Sequence, residues 1–450
     1  MSVQQALQRV VEPFGDAFRL GPGPSVKVVS RDNLSRQMDR LARIAALGAA
    51  PEANLARWVI RSAAADVGIH PASIDALYRA RGRGETRTNF TVPAMNLRAL
   101  AYHSARAVFR AARAVEAKAI IFEIARSEMG YTAQRPSEYS SSVLAAAIVE
   151  GHTGPVFIQG DHFQMSPKRF GEDPAKEVDA VRALVAESLE AGFFNIDIDT
   201  STLVDLSKAS LEAQQELNVQ MCAELALEVR RLEPKGLTVS IGGEIGEVGG
   251  RNSTEEELRA FMDGFNRVFG RLRPGAPGLS KISIQTGTSH GGVVLPDGSI
   301  ADVKVDFDTL RKLSEVARTA YGLAGAVQHG ASTLPEQAFS RFAEAAACEV
   351  HLATNFQTML FDRLPDGVRR EMYAFLDRDF AGERKADMTD EQFYYKVRKN
   401  ALGPFKKTLW ELPGDVLDDV GRAWEDQFRL LFERLGVVGT RAEVERHIES

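Results

Sequence analysis

The stretch VFIQGDHF (residues 156–163) begins as an apolar, strand-like run and ends on an acid and an imidazole, Asp161 and His162. Four other short apolar runs end in the same way, on a side chain that can bind a metal. They are FFNIDIDTS with Asp199, VSIGGEIGEVGG with Glu244, ISIQTGTSH with His290 and GAVQHGAS with His329. Apolar runs of this length, bounded by polar and turn residues, are typical of strands that are buried on both faces of a parallel sheet.

Eight such runs alternate with helix-period segments between residues 91 and 376. They are TVPAMN, KAIIFEI, PVFIQGD, FFNIDID, LTVSIGG, KISIQTG, LAGAVQH and CEVHLAT. Eight β–α repeats over about 285 residues predict an α/β protein whose parallel strands close into a (β/α)8 TIM barrel. An open, doubly wound sheet is the competing architecture. It would carry a glycine-rich phosphate loop after its first strand, and TVPAMNLRAL has none.

Helical segments flank the predicted barrel at both ends. We therefore expect a helical N-terminal extension (1–90), a catalytic barrel (91–376) and a helical C-terminal extension (377–450). In the C-terminal extension, Leu417, Trp424 and Leu431 recur at a seven-residue spacing and form an apolar stripe. The stripe fits either packing against the outer surface of the barrel or a contact between subunits.

The composition narrows the classes of function. The chain has 450 residues, 44% of them hydrophobic and 26% charged, with a net charge of −6. Acids and bases are mixed without a long basic run, which argues against nucleic acid and anionic membranes as partners. No apolar stretch approaches the ~20 residues of a membrane span. With Cys222 and Cys348 as its only cysteines, the chain is expected to be a cytoplasmic protein without disulfides.

The polar strand ends predict a metal site. In a closed barrel the carboxyl ends of all strands meet at one mouth, so His162, His290 and His329 should converge there. Imidazole and carboxylate ligands favour a borderline metal, with zinc as the first choice. Asp161 directly precedes His162, and it either orients a metal-bound imidazole or acts as a general acid/base.

Small residues after the last two strands suggest a phosphate site. HGAST and HLATN lie where barrel enzymes often bind phosphate through backbone N–H groups. Gly330, Ser332 and Thr354 are small or hydroxylic, and Gly291 would let the backbone approach a ligand closely. The same residues also fit ordinary turns, so phosphate binding and a purely structural role both remain open.

In their order along the chain, the blocks VPAMN, GDHF, DIDTS, EIGEVGG, GTSHG, HGAS and HLATN resemble those of the class II metal-dependent fructose- and tagatose-bisphosphate aldolases. The resemblance covers about residues 90–360. It implies a lyase that reversibly cleaves a phosphorylated ketose to dihydroxyacetone phosphate, or a similar ketone, and an aldehyde through a zinc-stabilised enediolate. It also implies a homo-oligomer, and zinc or another divalent metal together with a monovalent cation.

The resemblance assigns a role to each candidate residue. It implies His162, His290 and His329 as zinc ligands, Asp199 and Glu244 as ligands of an alternative metal position, and Asp161 as the residue that handles the hydroxyl proton. The implied substrate- or phosphate-binding residues are Asn96, Gly291, Gly330, Ser332, Thr354 and His351.

The chain departs from the family pattern in three places. Arg251 and Asn252 stand where the family has a loop glutamate that moves the carbon-bound proton, which leaves Glu247 and the run Glu255 to Glu257 as candidates. His351 replaces an asparagine and Ala353 replaces an aspartate. A non-catalytic aldolase-like metabolite-binding or assembly subunit is therefore an alternative hypothesis, and a metal-dependent barrel hydrolase is a third.

Overall fold

The computed structural model describes residues 10–21, 25–246, 251–287, 295 and 305–448. Its centre is a closed barrel of eight parallel strands, each paired with the next along the chain and the last paired with the first. The strands are β1 (Val92–Asn96), β2 (Ile121–Ala125), β3 (Gly154–Gln164), β4 (Asn195–Asp199), β5 (Ser240–Glu244), β6 (Lys281–Ile284), β7 (Ala326–Gln328) and β8 (Glu349–Leu352). The prediction of a (β/α)8 barrel with eight strands in these places is confirmed.

Helices surround the barrel and bury the outer faces of the strands. They are Ala101–Ala114, Arg126–Tyr131, Pro136–Val149, Pro167–Glu172, Pro174–Glu190, Leu211–Leu232, Glu255–Leu272, Phe307–Tyr321, Ser340–Glu344, Thr354–Arg363 and Asp366–Asp379. Two details differ from the sequence-based prediction. The sequence pattern predicts a helix over 335–347, but this segment forms only one 3-10 turn and the short helix Ser340–Glu344. After β8 the pattern predicts a helix only over about 370–376, whereas the helix Thr354–Arg363 precedes it.

The N-terminal segment closes the amino-terminal end of the barrel. Besides the helices Arg31–Leu47, Ala50–Asp66 and Asp75–Gly82, it contains a small hairpin (Phe18–Leu20 with Val26–Val28) and a ninth parallel strand, Ile69–Ala72. The sequence analysis predicted none of these strands. Ile69–Ala72 pairs with the start of β3, and the side chain of Asn195 on β4 accepts a hydrogen bond from the N–H of Ile74 at 2.9 Å.

Arg81 fastens the helix Asp75–Gly82 to the barrel. Its buried guanidinium donates to five backbone carbonyls at 2.8–3.1 Å, those of Thr88, Phe90, Ala324, Ala346 and Ala347. Burial lowers the pKa of Arg81 to about 10, so the group stays charged at neutral pH. The next residue must be glycine, because a Cβ on Gly82 would lie 2.2 Å from the carbonyl oxygen of Gly322.

The C-terminal segment packs on the outside of the barrel. Its helices are Asp390–Val397, Lys406–Trp410, Gly414–Arg434 and Arg441–His447. Trp424 is buried and donates its indole N–H to the carbonyl of Phe356 at 3.0 Å, while the rings of Phe428 and Phe356 lie 4.7 Å apart. The apolar stripe therefore packs against the outer surface of the barrel, which was the first of the two interpretations of its sequence pattern. Of the helices described, none is both long and apolar enough to cross a lipid bilayer.

Candidate active site

A β-bulge in β3 brings two adjacent residues to the mouth of the barrel. Gly160 pairs with Ile196 on β4, but Phe163 pairs with Ile198, so β3 holds one extra residue between them. His162 lies in the bulge and has a positive φ of 38°. Adjacent residues on a strand point to opposite faces, so Asp161 and His162 are expected to reach the mouth together only where the strand ends. Instead the strand continues to Gln164, and the bulge turns both side chains toward the site.

The bulge places His162 at the centre of two possible metal positions. Asp161, His162 and His329 each offer one ligand atom, and these atoms lie within 4.8 Å of one another. His162 also forms such a group with Asp199 and Glu244, with its Nδ1 3.1 Å from Asp199 Oδ2 and 3.5 Å from Glu244 Oε2. Two imidazoles with surrounding carboxylates fit a zinc-type divalent metal. His290 and Gly291 lie outside the described residues.

The electrostatics of this cluster also fit a cation. Burial, reinforced by the charge of Asp199, raises the pKa of Glu244 well above its usual value. Burial opposes protonation of His162, but the charge of Asp161 and the hydrogen bond to Asp199 outweigh it and raise the pKa of His162 well above its usual value. The acids therefore draw positive charge into the site, and a bound divalent ion would supply it without a protonated imidazole.

Asp161 is held by residues inside the barrel. Its Oδ1 lies 3.1 Å from Nδ1 of His351, and its Oδ2 lies 3.5 Å from the amide nitrogen of Asn96. Glu123 Oε2 lies 3.0 Å from the same nitrogen of His351, and burial with the neighbouring charge of Asp161 raises the pKa of Glu123 to about 7. His351, which the resemblance placed among the substrate-binding residues, lines the mouth but has both ring nitrogens against carboxylates.

The mouth is a cavity of about 710 Å³, within the range of sites for small molecules. Among the residues that line it are Asn96, Asp161, His162, Gly330, Ser332 and Thr354, all of which the sequence analysis named as candidates. Ser332 Oγ accepts a hydrogen bond from the N–H of Ala353 at 2.7 Å, which links the loops after β7 and β8. Thr354 is the first residue of the helix Thr354–Arg363, so the amino end of that helix lies at the cavity.

A basic rim at this cavity was missed by the sequence analysis. It consists of Arg98, Arg126, Arg169 and Lys399. Arg98 pairs with Glu128 at 2.7 Å, and the other two arginines share Glu177. Within the described part of the chain, the ammonium group of Lys399 makes no hydrogen bond or ion pair, and its Nζ lies 5.6 Å from the ring of Tyr131. Arg98 and Arg126 closely follow β1 and β2. A search for cationic side chains at the ends of the apolar runs would therefore have identified them.

Of the candidate loop acids, the described ones, Glu255 to Glu257, do not line this cavity. Thr254 and Glu257 form a capping box at the start of the helix Glu255–Leu272, and Glu257 pairs with Arg251. Glu255 pairs with Lys312 at 3.1 Å. None of Glu255 to Glu257 is among the described residues that line the mouth, and Glu247 lies outside the described residues.

Solved structures with a similar fold include a "probable tagatose 6 phosphate kinase" from Sinorhizobium meliloti 1021, at a TM-score of 0.51 and 14% identity over 79% of this chain and 93% of that one. Fructose-bisphosphate aldolase from Campylobacter jejuni has a TM-score of 0.49 and 17% identity over 83% and 97% of the two chains. YdjI aldolase from Escherichia coli K12 has a TM-score of 0.43 and 12% identity over 77% and 99%. At these identities the likeness concerns the fold alone.

Comparison of the sequence with known proteins and families is more specific than the likeness in fold. No curated protein matches the chain. The family model described as "Fructose-bisphosphate aldolase class-II" matches residues 84–409, which include the whole barrel, the bulge at His162 and the basic rim. The chain therefore belongs to the class II fructose-bisphosphate aldolase family.

Proposed function

We propose that the protein is a metal-dependent aldolase that reversibly cleaves a phosphorylated ketose to dihydroxyacetone phosphate, or a similar ketone, and an aldehyde. One observation carries the proposal. The carboxylate of Asp161 lies beside His162 and His329, with ligand atoms within 4.8 Å of one another, in the wall of a cavity of about 710 Å³. Membership of the class II aldolase family supports a carbon–carbon lyase over other chemistry at this site.

Asp161 is the general base of the cleavage direction. Its carboxylate takes the proton of the C4 hydroxyl, the C3–C4 bond breaks, and the bonding electrons stay with the three-carbon fragment. In condensation the same carboxyl group returns the proton to the new alkoxide. A zinc ion, or another divalent metal, held by His162, His290 and His329 would act as a Lewis acid that stabilises the negative charge of the three-carbon fragment.

The cavity wall suits an anionic substrate. Gly330, Ser332 and Thr354 lie together, and the first N–H groups of the helix Thr354–Arg363 favour a phosphate group. The basic rim carries four cations against two paired acids, Glu128 and Glu177, which favours further negative charge on the substrate. These features support a phosphorylated ketose as the substrate. We also propose Asn96, which lines the same cavity, as a substrate-binding residue.

We further propose that the protein is a cytoplasmic homo-oligomer that binds a small phosphorylated sugar, with a monovalent cation beside the divalent metal. Cys222 and Cys348 are both buried and free, which suits a compartment where thiols stay reduced.

The test is a retro-aldol assay over a panel of ketose mono- and bisphosphates, combined with hydrogen exchange at C1 of dihydroxyacetone phosphate. Wild type should cleave at least one ketose. Asp161→Asn should lose roughly 10²–10⁴-fold in kcat, because it removes the base and keeps the side-chain shape. Asp173→Asn is the matched control, because Asp173 only caps the helix Pro174–Glu190. Bound metal without cleavage or C1 exchange would favour the non-catalytic subunit, and hydrolysis without carbon–carbon cleavage would favour the hydrolase.

A further inference from the structure

A line of buried side chains crosses the barrel from its closed end to the mouth. The hydroxyl of Tyr78, on the helix Asp75–Gly82, donates to Glu349 Oε2 at 2.5 Å. The other oxygen of Glu349 lies 2.8 Å from Nε2 of His351, and Nδ1 of His351 lies 3.1 Å from Oδ1 of Asp161. All four residues are at most 6% exposed, so water competes little for these contacts.

This line could instead belong to a second metal site, since Asp197, Glu349 and His351 also bring ligand atoms within 4.8 Å of one another. The ammonium group of Lys281 already occupies that position. It lies 2.9 Å from Asp197, 2.7 Å from the amide oxygen of Gln159 and in contact with Glu349. Because the buried lysine already neutralises these acids, we assign them a structural role and not a second metal site.

The surrounding contacts make Glu349 a fixed anchor. Lys281 and the amide nitrogen of Gln159, at 2.8 Å, hold one of its oxygens, and Tyr78 holds the other. His351 is then fixed from both sides, by Glu349 toward the closed end of the barrel and by Asp161 toward the mouth. Its ring also packs on His329, with centroids 4.0 Å apart, so it cannot turn without losing several contacts at once.

We propose that Tyr78 and His351 are positioning residues for the acid/base step, acting through Glu349 to hold the carboxylate of Asp161 in one orientation. The inference rests on the proposed function of Asp161. Tyr78 belongs to the N-terminal segment that closes the barrel, so this segment contributes to catalysis as well as to stability. A shift of the base by a fraction of an ångström is enough to slow proton transfer.

The first test compares Tyr78→Phe with Tyr102→Phe in the metal-loaded full chain. Both tyrosines are fully buried and donate to a carboxylate, but Tyr102 bonds Asp39 on the outer side of the barrel. Tyr78→Phe should lower kcat by roughly three- to tenfold while KM and bound metal stay unchanged. Tyr102→Phe should leave kcat unchanged. Equal kcat values for the two variants would overturn the proposal.

The second test uses rescue and geometry. His351→Asn can still donate an amide N–H to Asp161, so it should retain clearly more kcat than His351→Ala. A crystal structure of Tyr78→Phe should show the Asp161 carboxylate turned or in two orientations, against one in wild type. If wild type cleaves no ketose, the proposed function fails by itself. In that case the crystal structure of Tyr78→Phe still tests the positioning role. An Asp161 carboxylate in the same orientation as in wild type would overturn the proposal.

Discussion

The imidazole rings of His162 and His329 lie with their centroids 4.2 Å apart at the mouth of the barrel, although His162 lies within β3 and His329 directly follows β7. His162 reaches this position only because a bulge with a positive φ re-aims the end of β3. Two imidazoles and the carboxylate of Asp161 then form one group of possible ligands. The local distortion of one strand thus creates the centre on which the proposed chemistry depends.

Lys281 should be essential for stability. Its buried ammonium group contacts Asp197 and Glu349, and Lys281→Met would leave both acids uncompensated inside the barrel. Loss of one partner from a buried ion pair costs about 3–5 kcal/mol in free energy of unfolding. Unfolding in urea measures this cost. Lys312→Met is the control, because Lys312 is exposed and its pair with Glu255 should contribute less than about 1 kcal/mol. Similar losses in both variants would contradict the assigned role of Lys281.

Lys399 should affect substrate binding more than chemistry. It lies on the rim of the cavity without an ion-pair partner among the described residues, so its charge is available to an anionic substrate. Lys399→Met should raise KM for a phosphorylated ketose by roughly tenfold with little change in kcat. The effect should shrink as the salt concentration rises, because the site is open to solvent. Lys396→Met, which removes a lysine paired with Glu383 at 2.8 Å, should leave KM unchanged. An unchanged KM in the Lys399 variant would show that the rim does not contact the substrate.

His103 and His152 should each contribute less to stability as the pH drops from about 6.5 to about 4. Burial lowers the pKa of His103 and that of His152 from 6.5 to about 4. Within this window the unfolded chain binds more protons than the native state at both positions, so the contribution of each histidine to the free energy of unfolding decreases with falling pH. Each histidine should account for on the order of 3 kcal/mol. In urea unfolding, the free energy of unfolding of wild type minus that of His152→Gln should decrease as the pH falls through this window, with His447→Gln as the control. Parallel curves for His152→Gln and wild type would contradict this assignment.

Much of the barrel can be predicted from the sequence because its strands are buried on both faces and must be apolar runs. Polar residues at the ends of such runs, such as His162 and His329, then stand out against the pattern. The parallel topology brings those ends to one mouth, so a candidate site follows without any distance information. The apolar stripe around Trp424 could be assigned to packing in the same way, although its partner Phe356 could not.

Other features have no local signal. The strand Ile69–Ala72 contains Pro71 and a polar histidine and owes its conformation to its pairing with β3. The helix Thr354–Arg363 begins only two residues after β8. The strand pattern and the helix pattern therefore cannot be separated in the sequence. The contact of His351 with Asp161 joins β8 and β3, which are separated by β1 and β2 in the sheet, so only the closure of the barrel brings the two side chains together in its interior.

We expect His162 and His329 to bind a divalent metal that carbon–carbon cleavage requires. The most direct measurement is to remove metal with a chelator, titrate zinc back, and follow bound zinc and retro-aldol activity together. Wild type and His447→Gln should bind about one zinc per chain and regain activity in proportion to it, whereas His162→Ala should do neither while remaining folded. Full cleavage activity in folded wild-type protein that holds no divalent metal would show that cleavage does not depend on a metal bound by these histidines.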